Sequence, residues 1–174
     1  ACAGTLPSCF VSMSPAQNVV ANFTTPPVTL ATALDNAQQV WITAGTAPFF
    51  GQSAAYTTGG AAARSGKVGN LQSSSLSTMV TGPGQLSFDW KVSSEADYDY
   101  LTVSLDGGMQ YRISGESAWI SSVLDVPSGN HTVKWEYSKD EFVSDGEDAG
   151  WVDNVKFAHS GATVSALRNG DFES

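Results

Sequence analysis

A period of two constrains this chain more than any other feature. Residues 85–93 read Gln-Leu-Ser-Phe-Asp-Trp-Lys-Val-Ser, which puts Leu86, Phe88, Trp90 and Val92 on one side and Ser87, Asp89 and Lys91 on the other. Successive side chains point to opposite faces in a strand, so this stretch is a strand with one buried face. Residues 101–105 alternate in the same way. Residues 131–137 set Val133, Trp135 and Tyr137 against Lys134 and Glu136, and a last strand runs from Trp151 to Phe157. Between them lie turn signals: Gly82-Pro83-Gly84, Asp106-Gly107-Gly108, and Pro127 to Asn130. No long segment keeps a helical period. Short strands at such spacing predict an all-β sandwich of two antiparallel sheets. Trp90, Trp135 and Trp151 fall on the apolar strand faces, with Phe88 and Phe157, and are expected in the core.

Composition limits the partners. The chain of 174 residues has a net charge of −9 and only eight Lys and Arg, which argues against nucleic acid, because phosphate recognition needs clustered cations. Charged residues make up 14% of the sequence, their place taken by Ser, Thr, Gly, Asn and Gln, as suits a secreted or cell-surface β protein. No apolar run is long enough for membrane insertion, and no signal peptide is visible, so residue 1 reads as a cut within a longer protein. Cys2 and Cys9 are the only cysteines. A disulfide between them closes a short loop in an oxidising compartment; two free thiols are the alternative. Zinc is disfavoured, because no His or further Cys lies nearby.

Prolines mark boundaries. Thr25-Pro26-Pro27 reads as a stiff linker and Ser160 to Ser165 as a loose one, so the domains are 1–27, 28–159 and 160–174. Residues 1–23 resemble the closing hairpin of internalin-type bacterial B-repeats, through Cys2, Gly4, Cys9, Val11, Met13, Asn18, Val19, Ala21 and Phe23. Only about two strands of that repeat are present, which makes an N-terminal β-hairpin extension. The centre resembles a bacterial jelly-roll module related to the MAM and cleaved-adhesin domains. The carrying residues are Ala33 to Asn36, Ala63 to Gly66, Val80 to Gly84, Leu86 to Glu95, Tyr98 to Leu101, Ile113 to Glu116 with Trp119, Gly129 to Val133, Trp135 to Asp140 and Gly146 to Val155. Asp89 stands where that pattern usually has an aromatic residue. Asn169 to Glu173 resembles the opening of a carbohydrate-binding-module-like domain, so covalently linked neighbouring modules are expected.

The resemblance to the MAM and cleaved-adhesin domains implies a jelly-roll fold and a structural Ca2+ joining the first and last strands. Asp35 and Asp153 hold the matching positions, with Asn36 and Asp148 as further ligands. On the residues alone, Asp35 also reads as a turn cap and Asp153 as an acceptor of backbone amides. The 140–148 loop is acidic but lacks the D-x-D-x-D-G spacing of an EF-hand.

Catalytic motifs are missing. There is no G-x-S-x-G elbow, no H-E-x-x-H and no phosphate loop. Glu95, Asp97 and Asp99 alternate, and two carboxylates about 5 Å apart serve retaining glycosidases. This triplet lies at a strand-to-turn boundary, though, so a non-enzyme is expected. The leading expectation is an extracellular accessory module binding a polysaccharide or cell-surface glycan. The other is a structural spacer or protein-binding adhesion domain. Sugar faces stack on aromatic rings; Phe49, Phe50 and Tyr56, in a loop-like segment, are the expected ligand-binding rings. The acidic total favours a neutral or weakly charged glycan.

Overall fold

In the computed structural model, residues 26–160 are described; the Cys2–Cys9 pairing, the hairpin resemblance of residues 1–23 and the segment after Ser160 lie outside them. One short helix, α1 (Leu30–Ala33), precedes eight strands: β1 (Ile42–Gly45), β2 (Phe50–Gln52), β3 (Ala62–Arg64), β4 (Ser73–Ser93), β5 (Tyr100–Leu105), β6 (Gly108–Ile113), β7 (Ile120–Ser138) and β8 (Ala149–His159). Every pairing among them is antiparallel. Thr29 starts α1 by accepting the Thr32 amide on its hydroxyl at 3.2 Å.

Two long strands build the sandwich. β4 and β7 pair from Ser73–Ser138 to Trp90–Ile120, with a register shift between Gly82 and Gly84. Their outer edges carry different neighbours on either side of that shift. Before it, β4 takes β1 on its free edge while β7 takes β5, which leads to β6. After it, β4 takes β8, which leads to β3 and β2. The front layer is therefore β2-β3-β8-β4-β7, the rear layer β1-β4-β7-β5-β6, and hydrogen bonding is continuous through both.

Two glycines allow the strands to turn over. A Cβ on Gly82 would lie 1.8 Å from the Pro127 carbonyl oxygen, and one on Gly84 would lie 2.5 Å from the Phe157 ring. Any side chain there would push the crossing strands apart.

The alternation read from the sequence meets between the layers. Leu86, Phe88, Trp90 and Val92 are buried from the front, and Leu101, Val103, Val133, Trp135 and Tyr137 from the rear. Each aliphatic or phenyl group removed from water here contributes roughly 1.5–3 kcal/mol. Trp151 departs from expectation. It is buried, but on the outside of the front layer, because its neighbour Val152 takes the core position opposite Trp90. Arg64 and Lys91, its cross-strand partners, cover the indole at 5.1 and 4.4 Å from the ring centroid. A β-bulge then corrects the register: Asn154 adopts a positive φ of 52°, returning Val155 to the core.

Candidate functional site

The outer side of the front layer carries a row of side chains in register. Phe50 on β2 pairs with Arg64 on β3, Arg64 with Trp151 on β8, and Trp151 with Lys91 on β4. Ring and cation thus alternate across four strands, and the stacking over Trp151 fixes both cationic side chains. At the β2–β3 end lies a surface groove of about 250 Å³, lined by Phe50, Arg64, Ser65, Lys67, Glu147, Asp148 and Ala149. Its floor is tied down by hydrogen bonds from the Gly150 amide to the Ser65 hydroxyl (3.0 Å) and from the Ser65 amide to the Gly150 carbonyl (2.9 Å). Arg64 Nη2 reaches the carboxylate and carbonyl of Glu147 only at 3.4 Å, and Arg64 Nε is buried without a partner.

The three expected ligand rings separate. Phe50 is 44% exposed and forms a groove wall, whereas Phe49 is 3% exposed and belongs to the core. Adjacent residues entering a strand face opposite ways, so the two phenylalanines could not share a surface. Tyr56 is exposed on the loop after β2 and does not line the groove. Gln52 pins that loop through the Ala54 and Ala55 amides.

The loop ends in an acidic cradle. Asp153 is fully buried, and its Oδ2 accepts from the Thr57 amide (2.6 Å), the Thr57 hydroxyl (2.8 Å) and the Thr58 amide (3.2 Å). Asp35 accepts from the Thr58 hydroxyl on the other side. Asp89, paired with Asp153 across β4 and β8, stands 3.0 Å from the same Thr57 hydroxyl. That hydroxyl has one proton for two carboxylate oxygens. Burial pushes the Asp89 carboxyl up, but hydrogen bonds from Ser121, Asn154 and Thr57 and the charge of Lys156 outweigh it, leaving the pKa below the ordinary value. The next residue, Asn154, has a buried Oδ1 with no partner. Three carboxylates and an orphaned amide oxygen are thus gathered around one loop, with the carboxylates accepting from Thr57, Thr58, Ser121 and Asn154. Among the described residues, the acidic side chains whose oxygens crowd together most closely are Glu95, Asp99 and Asp140.

Two further expected ligands have their side chains engaged by other groups. Asn36 spends Nδ2 on the Val155 carbonyl and Oδ1 on the Gln38 amide, both at 3.1 Å. Asp148 lies in the turn before β8 and accepts from Tyr137 and Lys139. Lys139 also makes a fully buried ion pair with Asp99 at 2.8 Å. Burial pulls the lysine pKa down, yet Asp148 and Asp99 more than offset it and hold it above its ordinary value. Glu95 and Asp140 stand close to Asp99. Burial, then the charges of Asp140, Asp99 and Asp145, push Glu95 up. Asp99 has no exposed surface and both its oxygens are engaged, so it cannot meet a substrate as a nucleophile.

No protein-family model and no curated protein matches the sequence. Solved structures do. The chain is similar to the secreted serine protease VesC from Vibrio cholerae, with a TM-score of 0.57 and 14% identity, over 77% of this chain and 27% of that one. It is also similar to a cleaved adhesin domain of Lys-gingipain, with a TM-score of 0.52 and 14% identity, over 68% of this chain and 89% of that one. What they share is the fold. The chain spans about a quarter of the protease's length and most of the adhesin domain's.

Sequence reasoning missed two site features. Asp89 reads there as one of several outward polar residues; its place in the cradle depends on Thr57 and Asp153, far away in the chain. No local signal was available, because Asp153 shares the parity of Trp151 and Phe157, which the sequence assigns to the core; only the strand pairing sets it beside Asp89. Arg64 drew no attention as a ligand group, because nothing local shows that Trp151 faces outward beneath it.

Proposed function

We propose that the chain is a non-catalytic module of a secreted or surface protein, and that it binds a glycan at the groove beside Phe50. The observation that carries this is an exposed phenyl ring fixed in register beside a stacked guanidinium, at the mouth of a groove with polar walls. Such a site offers an apolar face for a sugar ring and donors for its hydroxyls. Tyr56 supplies a second ring for a longer chain. Calcium plays a structural part, held by Asp35 and Asp153 with Asp89: it neutralises the carboxylates and ties the start of the domain to its last strand. The test is affinity electrophoresis and a glycan array with the intact chain. Phe50→Ala should abolish retardation while melting stays unchanged; retention of binding by that variant rejects the site.

One observation favours a protein-binding adhesion or spacer role. Val40, Ile42 and Met79 are 75, 60 and 62% exposed along the β1–β4 edge of the rear layer. If no glycan binds, this apolar stripe is the surface to test.

A further inference from the structure

We infer that the groove selects an acidic sugar, a pyranose bearing a carboxylate, with that carboxylate seated on the Arg64 guanidinium. This rests on the glycan reading above and names the class of sugar.

Four observations carry it. The groove, at about 250 Å³, falls below the range of roughly 300–1,000 Å³ typical of drug-sized pockets, so it suits one sugar unit. Arg64 presents a planar fork held flat by Trp151, so little freedom is lost when an acceptor binds. That fork is under-satisfied: Nη2 has only the long contacts to Glu147, and Nε has no acceptor and is buried, so a ligand reaches both only when the cover over Nε moves aside. A carboxylate is the acceptor that matches a guanidinium edge with two parallel hydrogen bonds. Glu147 is the internal stand-in. Its side chain is 61% exposed and loosely held, free to swing out as the ligand carboxylate enters and uncovers the fork.

The local charge supports the exchange. Arg64 and Lys67 face Glu147 and Asp148 across the groove. Asp148 shares Lys139 with Asp99, so the groove is balanced as it stands. Arg64 is left without a counter-charge once Glu147 departs. Arg64, Lys67, Lys91 and Lys156 are half of the eight basic residues in the chain, and all lie on this side of the front layer. The net charge of −9 argues the other way over the whole chain. At physiological salt, however, exposed charges beyond about 8 Å are largely screened, so the groove's own cations decide.

The test is titration calorimetry of the intact chain with galacturonic acid trimer and with the matched galactose trimer. The acidic trimer should bind at least about tenfold more tightly, the size of one charge-assisted hydrogen bond. Arg64→Lys keeps the charge but removes the fork, and should erase that preference by weakening the acidic trimer much more than the galactose trimer. Glu147→Gln removes the stand-in and should tighten the acidic trimer several-fold. Lys67→Ala, an exposed change, should weaken it if Arg64→Lys fails to fold. Equal binding of the two trimers overturns the inference and leaves the glycan reading intact. Binding of neither trimer overturns it too, and the array then decides the broader reading. An unchanged preference in folded Arg64→Lys also overturns it.

Discussion

Phe88 and Trp135 meet edge to face, with ring centroids 5.3 Å apart and planes at 85°, although they stand in opposite layers. Trp135 is the cross-strand partner of Leu76, and Leu76 precedes Phe88 by twelve residues on the same strand. Twelve residues of straight strand would hold the two about 40 Å apart. The contact exists only because β4 turns over at Gly82–Gly84. Phe88→Ala removes a ring from this junction and should cost about 3–5 kcal/mol, measured by urea unfolding. Lys91→Ala, on the outer face of the same strand, should cost much less.

The buried ion pair should show strong asymmetry. Lys139→Ala leaves the buried Asp99 carboxylate without a counter-charge, held only by the Asp140 amide, and should cost about 3–5 kcal/mol. The double change Lys139→Met with Asp99→Leu removes both charges and should recover much of that loss. A double-mutant cycle in urea measures the coupling directly.

Calcium should raise the melting temperature without conferring activity, because it binds the folded state alone. Calorimetry in chelator and in excess calcium should show the shift, and Asp153→Asn should abolish it. Asp148→Asn should leave the shift in place, since Asp148 serves Lys139 instead. Equal melting in chelator and calcium would refute the cradle as a cation site.

His131 should make stability fall in mild alkali. Its hydrogen bond to Asp106 at 2.6 Å raises its pKa above the ordinary 6.5, while the same contact holds Asp106 below its ordinary 3.8. A raised histidine stabilises fully below its unfolded pKa and loses that as pH rises through the folded one. A depressed aspartate stabilises above its unfolded pKa and loses that as pH falls through the folded one. The pair therefore contributes in full between 3.8 and 6.5 and fades on either side. Melting scans from pH 4 to 9 should show this fading, and His131→Asn should flatten it. Proton NMR should place the His131 titration above that of a free imidazole, with Asp106→Asn bringing it down.

The layers were legible because their signal is local. Leu86, Phe88, Trp90 and Val92, and Val133, Trp135 and Tyr137, state their facing through two-residue spacing, and the structure buries all seven. Trp151 obeys the same alternation, but which parity faces inward is fixed by Val152 and by the bulge at Asn154, which no spacing announces. Pro48-Phe49-Phe50 carries no period at all, so two adjacent rings looked equivalent until strand pairing sent one inward. The approach of Asp35 and Asp153 to one loop came from the family resemblance. The part played by Thr57, Asp89 and Arg64 arises from pairings across dozens of residues and had no local trace.

The two shared strands have a consequence for how the molecule opens. A sandwich made of separate sheets can lose one and keep the other for a moment. Here either layer is made partly of the same two strands as its opposite, so peeling one away breaks the ladder that holds the other. Slowly exchanging amides of β5 and of β8 should therefore report one common opening event. Proteolysis within the paired strands should then follow opening of the whole sandwich, with no separate half-open form to cut.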